Sequence, residues 1–568
     1  VSLPPLANLL AVRRDDPAQA DQLERAFRED PRFAEVWRPA PGWVVGVAPL
    51  PHGVPDGAEV RAAGLAFAEG RDVTGAGTPE GAERAARLAG EHPRRLAELA
   101  GDFTFLAFDP SGSLTAVRSA SGRVPVYLAD EGRVVGTRLG WVAAFLPGGA
   151  ELDPLATGVW MSGIPLFPDG RSLLRGVRVL ARGAFARIGE GSVREGTYWD
   201  PRPDRLQPPT EARFGEHAER LRSALLATLS TELDPGGGNL LSLSGGIDSS
   251  SLLGLAGGTL GLPVSAISLV PDRGPKMELE RRYLASATEH APLVHHLQLP
   301  MGHGSRPEWA RDSVSPGFLV VHPVLHLLPR AAAETDVRVL FGGEFGDEVG
   351  GSKYTLPDWA RATPASALLR PSRLPRGGRD VVRWLRTRVR EASGGDQTPY
   401  PAMLADWVHP RARGEYRAWR VDVGRAASGD PRPLRTLALR AGMDGFTAMN
   451  WEATSELGIR RVIPYFTRDM LELAFDCHPN ELIGPGFRRL QRAALAEDVP
   501  RANLWREDPG VWAYPDPSNM AWEGTMPPWA AATVDPGWFP RPSQPVEPIS
   551  GLFLWSLVRF AEALSGVA

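Results

Sequence analysis

The sequence predicts an α/β fold: a parallel sheet covered by helices on both faces, preceded by an α+β domain built on antiparallel strands. Two observations predict it. Between Asn239 and Phe341, short and almost wholly apolar runs alternate with longer helical stretches, and strands without polar alternation are those buried on both faces of a parallel sheet. Before about residue 200 the apolar runs are separated by Gly, Asp and Ser, the punctuation of antiparallel strands.

In chain order, Gly81 to Leu99 reads as helix. Asp102–Asp109 reads as a strand ending in the turn Pro110-Ser111-Gly112, and Leu114–Val117, Val124–Leu128 and Val134–Thr137 read as further strands. The Pro-rich stretch from Asp200 to Pro209 reads as a linker, dividing the chain into domains 1–205 and 206–568. A helix follows from Glu211 to Leu233. Strands are expected at Asn239–Leu243, Val264–Val270, Val294–Leu299 and Val337–Phe341, with helices at Ser249–Leu260, Met277–His290 and His326–Ala333 between them. From about Asp358 onward the pattern is mostly helical, and Ile549 to Leu564 reads as a docked amphipathic helix.

Composition excludes several classes. The chain has 568 residues, enough for a large core without disulfide or metal staples. A net charge of −4 sets up no strong global field, and nothing here demands the basic surface that nucleic acid would need. No apolar run reaches the length of a membrane span and no secretory signal opens the chain, so the expected location is cytoplasmic. The single cysteine, Cys477, lies in a helical apolar context and reads as a buried, inert thiol. Only two lysines occur, Lys276 and Lys353, against 61 arginines, so any role that chemistry assigns to a lysine has few candidates.

Two loops carry the chemistry. The strand ending Leu241-Ser242-Leu243 runs into Ser244-Gly245-Gly246-Ile247-Asp248-Ser249 and then a helix. Glycines let the backbone approach an anion, helix-start amides carry partial positive charge, and the Ser244, Ser249 and Ser250 hydroxyls can donate to phosphate oxygens. The Walker pattern is absent. An acid, Asp248, stands among the phosphate donors, and a carboxylate beside phosphates calls for a bridging Mg²⁺. The second loop, Gly342-Gly343-Glu344-Phe345-Gly346-Asp347-Glu348, follows another apolar strand. If the two strands are neighbours, Asp347 faces Asp248 across one metal-bound triphosphate.

With these residues in place, the chain resembles the asparagine synthetase B-type enzymes, whose synthetase half is a PP-loop ATP pyrophosphatase. Ser244–Ser249 is similar to that family's SGG-x-DS loop and Gly343–Glu348 to its G-E-x-x-D-E loop. Gly101-Asp102-Phe103 and Arg118-Ser119-Ala120-Ser121-Gly122-Arg123-Val124-Pro125 resemble signatures of its glutamine-hydrolysing domain, of N-terminal-nucleophile fold. The resemblance implies ATP and Mg²⁺ as cofactors. It also implies nucleotide contacts from Leu243, Ser244, Gly245, Gly246, Asp248, Ser249, Gly343 and, for the base, Ser268 and Leu269 at the end of a strand. It places the metal on Asp248 and Asp347, and gives Glu344 a role in orienting or deprotonating the attacking amine.

Departures narrow the expectation. The glutaminase nucleophile is an N-terminal cysteine, whereas this sequence opens Val1-Ser2-Leu3, so the first domain is expected to be a retained scaffold. In Gly458-Ile459-Arg460-Arg461-Val462-Ile463-Pro464-Tyr465, Arg460 and Val462 stand where the family has Glu and Arg. In Pro500–Asp508, Asp508 stands where it has a lysine acting on the acyl-phosphate oxygens, leaving Arg506, Arg489 or Arg492 as candidates, with Arg506 named as catalytic. Family branches without glutaminase draw the amine from the substrate. Glu344 and the missing lysine favour the lasso peptide cyclases over β-lactam-forming relatives. Another ring-closing or ammonia-using synthetase and a non-catalytic relative remain the alternatives. A precursor peptide, a leader peptidase and a leader-recognition protein are the implied partners. The Pro-rich segments Arg370–Arg376 and Asp508–Pro517 are expected either as walls of a peptide cleft or as plain surface loops.

Overall fold

The computed structural model describes residues 7–50, 61–62, 65–70, 79–99, 102–161, 170–189, 191–201, 207–271, 275–301, 328, 331, 334–351, 356–363, 382, 385–386, 389, 410–427, 444–483 and 487–506. Between Ala7 and Thr197 the described strands form two six-stranded antiparallel sheets. One is built around Ala7–Arg13 and Trp43–Pro49, the other around Phe103–Phe108, Leu114–Arg118 and Ala184–Gly189. Inward residues of both sheets, among them Leu9, Ala11, Trp43, Val45, Leu106, Leu114, Ala116 and Ala186, share one core, so the domain is a sandwich. The expected strand at Val124–Leu128 starts later, at Tyr127. The expected helix at 81–99 breaks at His92, where Pro93 removes an amide and a 3₁₀ turn takes over. The expected boundary at 205/206 lies among residues that are not described.

The second half is the predicted parallel sheet. Five strands, β1 (Asn239–Ser242), β2 (Val264–Pro271), β3 (His296–Met301), β4 (Val339–Gly342) and β5 (Arg460–Val462), are ordered β3-β2-β1-β4-β5 and all neighbours run parallel. This is an α/β sheet whose winding reverses between β1 and β4, and ligands bind such sheets at the carboxyl ends beside the reversal. Helix α1 (Glu211–Glu232) is N-capped by Thr210, whose hydroxyl accepts from Arg213 N at 3.2 Å. It buries Leu221, Leu225 and Leu229 in the large core that also takes Leu241, Phe341 and Val462.

Strand β5 is the strand of this sheet that the sequence reading missed. Its residues Arg460 and Arg461 are charged, which hides an apolar period, yet both are 1% exposed. Each is buried with a carboxylate: Arg460 Nη1 donates to Glu232 Oε2 at 3.0 Å, and Arg461 pairs with Glu344. The helix expected from Ser249 begins earlier, as α2 (Ile247–Leu253), and continues as a π-helical turn over Gly254–Thr259. Gly254 there abuts the Asp498 carbonyl with no room for a side chain. Helix α3 (Pro275–His290) follows β2 as expected. Of the helix expected at 326–333, only Leu328 and Ala331 are described, both helical.

Cys477 is fully buried at the end of a helix over Arg468–Asp476, as read from the sequence. Its Sγ lies 3.6 Å from His217 Nδ1, and Glu481 Oε2 lies 3.1 Å from the same nitrogen while accepting from the His478 amide at 2.7 Å. The trio ties α1 to the short helix Pro479–Leu482.

Candidate active site

Strands β1 and β4 lie side by side, with Ser242 opposite Gly342, so the two glycine-bearing loops leave the same edge together. The first loop is held from within. Ser244 N donates to Ser249 Oγ at 3.1 Å, the two hydroxyls are 3.1 Å apart, and Gly246 caps α2. Gly245 has φ +68° and lies against Tyr283, where a Cβ would come within 2.8 Å of that residue's Cβ; only glycine meets both demands. Asn503 Nδ2 pins the loop by donating to Gly245 O at 3.0 Å and to Tyr283 O at 2.8 Å.

The second loop is pressed onto the first. A Cβ on Gly343 would lie 2.6 Å from Asp248 Cβ, so the glycine is what lets the loops touch. Phe345 turns the chain at φ +66° into the short helix α4 (Gly346–Gly350) and stacks on Phe466 with ring centroids 4.1 Å apart. Asp347 and Glu348 occupy the first turn of α4.

The two aspartates face each other across a single cationic group. Arg488 Nη1 donates to Asp248 Oδ1 at 2.7 Å, Arg488 Nη2 donates to Asp248 Oδ2 at 2.9 Å, and Nη2 also donates to Asp347. Gln491 Nε2 adds a bond to Asp248 Oδ1 at 2.7 Å. Burial pushes the Asp248 carboxyl up; Arg488 opposes this and Asp347 reinforces it. Burial and then the Asp347 charge push Glu348 up to about 7. Arg488 is held well above its usual range by its two aspartates, against its own burial. The two carboxylates meet at one guanidinium nitrogen, Arg488 Nη2, and an all-oxygen donor pair suits Mg²⁺. On that test the residues fit the metal.

The other expected site residues fall around this pair. Glu344 carries an 11% exposed side chain and is tied to Arg461, whose Nε also donates to Asn450 Oδ1 at 3.2 Å. Ser268 donates to Leu243 O at 2.7 Å and lies 2.8 Å from His296 Nε2. Ser268 and Leu269 sit within β2, which runs on to Pro271, rather than at its end. Burial, then the neighbouring His295, lowers His296. Arg506 reaches the loop but is engaged there: Nη1 donates to Ser244 O at 3.0 Å, Nη2 to Glu280 Oε1 at 2.5 Å, and the guanidinium lies over the Tyr283 ring. These contacts tie it to the loop. Arg489 lies over Phe214, and Arg492 lies over Trp505 while donating to Leu504 O at 3.1 Å, so neither points to the aspartates. Lys276 is exposed on α3, whereas Lys353 and Asp508 lie outside the described residues. Sequence reasoning missed Arg488, Gln491 and Arg461. Arg488 and Gln491 stand outside any quoted motif, and Arg461 stood in one as an unspecified position.

The asparagine synthase family model matches residues 221–547, more than half of the 568-residue chain. The chain belongs to the asparagine synthase family. No curated protein matches the chain. Among solved structures, NMN synthetase from Francisella tularensis aligns at 17% identity and a TM-score of 0.17, over 24% of this chain and 58% of that one. An allosteric regulatory enzyme of purine biosynthesis aligns at 10% identity and a TM-score of 0.15, over 40% of this chain and 55% of that one. The chain thus spans little more than half the length of either structure, and likenesses this slight bear on no residue of the asparagine synthase site.

Proposed function

We propose that this asparagine synthase family member is a lasso peptide cyclase. It would use ATP to adenylate an Asp or Glu side chain of a precursor peptide and then join the peptide's N-terminal amine to it as a macrolactam. The adenylation half of the reading is carried by one observation: Asp248 and Asp347, from the ends of adjacent parallel strands, converge on one cation beside a glycine- and serine-rich loop. Asp248 and Asp347 would hold Mg²⁺, which on binding neutralises β- and γ-phosphate charge and improves pyrophosphate as a leaving group. The first loop offers Ser244, Gly245, Gly246 and Ser249 to the phosphates. The segment around Leu243, Ser268 and Leu269 borders the base.

The substrate carboxylate attacks the α-phosphorus, forming acyl-adenylate and pyrophosphate. The amine attacks the acyl carbon, AMP leaves with the bonding electron pair, and the amine proton passes to a base. Glu344 fits the task of orienting that amine, because Arg461 fixes its carboxylate at the rim of the second loop. Holding both reacting ends in one site contributes up to about 7–11 kcal/mol for ideal geometry.

Two features support the cyclase reading over its alternatives. Glu344 stands where the lactam-forming branch tends to have tyrosine, and the cysteine of this sequence is buried at the end of a helix rather than placed as a nucleophile. A leader peptidase and a leader-recognition protein are proposed as partners, with no nucleic acid. Among the described residues no helix is long and apolar enough to cross a membrane. The test combines the purified chain with ATP, Mg²⁺ and the precursor peptide from a neighbouring gene, with its peptidase. The expected result is AMP, pyrophosphate and a peptide lighter by one water. Amide formation only with added ammonia, or turnover of a small amino acid, would replace the cyclase reading. Failure to consume ATP with any of these would leave a scaffold.

A further inference from the structure

Arg488 occupies the position that the mechanism gives to a metal. It approaches along a constrained path: it caps the helix Arg489–Ala494 from a left-handed conformation, φ +63°, and its own amide donates to Gly351 O at 3.0 Å, just beyond α4. Its guanidinium engages both oxygens of Asp248 and also Asp347, and Nη1 further donates to Gln491 Oε1 at 2.8 Å. The side chain is 11% exposed, against 45% for Asp347, so the pair is open to solvent from the Asp347 side.

We propose that Arg488 is a placeholder cation that holds Asp248 and Asp347 at metal-binding separation, yields them when Mg²⁺·ATP arrives, and then pairs with the triphosphate. This rests on the proposed function of the same site. Three arguments carry it. Without a cation, the two carboxylates that meet at Arg488 Nη2 would repel one another, and Arg488 offsets that repulsion. Second, Mg²⁺ needs carboxylate oxygens at about 2.0–2.1 Å, and both Asp248 oxygens already receive N–H groups, so the metal and the guanidinium compete for the same lone pairs. Third, among the described arginines around the loops, Arg506, Arg489 and Arg492 are committed to Glu280, Phe214 and Trp505. The partners of Arg488 are the very groups the metal would take. Once released, a planar donor fork on a long side chain meets phosphate oxygens, which it binds bidentately. The chain would so supply the charge that Asp508 cannot.

The test uses the full chain, its Arg488→Gln and Arg488→Lys variants, Mn²⁺ alone as a spin-active probe, and a fluorescent ATP analogue at saturating Mg²⁺. The expected result for R488Q is Mn²⁺ binding about tenfold tighter than in the parent, with nucleotide binding about tenfold weaker. R488K should move the same way by less, because a point charge cannot span both aspartates. Added Mn²⁺ should raise the melting temperature of R488Q more than that of the parent. Unchanged Mn²⁺ affinity in folded R488Q, or unchanged nucleotide affinity in it, overturns the proposal and leaves Arg488 a structural brace. If R488Q does not fold, the absence of tighter Mn²⁺ binding in R488K overturns it equally. A parent chain that binds neither Mn²⁺ nor the nucleotide would sink the proposed function as well. Binding by the parent with unmoved variants sinks this inference alone.

Discussion

In the proposed reaction Asp248 is the residue on which turnover would depend, and its environment makes that dependence testable. Asp248→Asn keeps the volume and one acceptor but removes the charge that a divalent cation needs, so turnover should fall by about 10²-fold or more while the far-ultraviolet circular dichroism is unchanged. Retained turnover would remove the metal assignment. Glu348 gives a second residue-scale prediction. Its folded carboxyl titrates near 7 against 4.5 unfolded, so between these values the native state holds a proton that the unfolded chain has lost. Stability contributed by that proton is present at low pH and is lost as pH rises through about 7. Melting temperatures should therefore drop from pH 5 to pH 8, and E348Q should flatten the drop. Asp248, shifted in the same direction, should leave a residual slope. A rise over that range in the parent chain would refute the assignment.

Helices and strands bring these side chains together, and here the sequence was only partly readable. Strands β1, β2 and β4 and the loops after β1 and β4 were legible because apolar strands and glycine-bearing loops follow from local chemistry. Strand β5 was not. Its arginines are buried by partners from elsewhere in the chain, Glu232 and Glu344, and such pairing leaves no local period. Arg488 was hidden for the same reason: its aspartates lie 240 and 141 residues away. At this scale Arg461→Met should be costly. It strips a buried carboxylate of its cation, with a stability loss of about 3–5 kcal/mol, measurable by denaturant unfolding; a loss within the noise of the parent would mean that Glu344 needs no counter-charge. Gly343→Ala should separate the loops, since its Cβ would lie 2.6 Å from that of Asp248. An overpacking cost of about 1–3 kcal/mol is expected, together with weaker metal binding, and unchanged metal affinity would contradict the close-approach argument.

Across the whole molecule the sandwich and the parallel sheet are joined by buried charges rather than by proximity in sequence. Glu232, 2% exposed at the end of α1, bonds Arg123 of the sandwich at 3.1 Å and Arg460 of β5 at 3.0 Å. Arg118, fully buried, donates to Leu180 O at 2.7 Å within the sandwich and to Asp444 Oδ1 at 2.9 Å in the helix Asp444–Glu456. Trp451 of that helix enters the sandwich core, where its Nε1 donates to Asn8 Oδ1 at 3.1 Å. A first domain that had lost any catalytic task would still be needed as the support on which β5, and with it Arg461 and Glu344, is set. Glu232→Gln should therefore destabilise the molecule by about 3–5 kcal/mol and lower turnover, although it lies outside the nucleotide loops; a variant as stable and active as the parent would separate the two halves functionally.

The most direct measurement is electron paramagnetic resonance of Mn²⁺·ATP bound to the parent chain and to Asp248→Asn and Asp347→Asn. The account predicts a bound-metal signal in the parent and at least about tenfold weaker binding in each variant, since each removes one of two shared ligands. Equal binding in all three proteins would contradict it, because the two aspartates would then hold only an arginine.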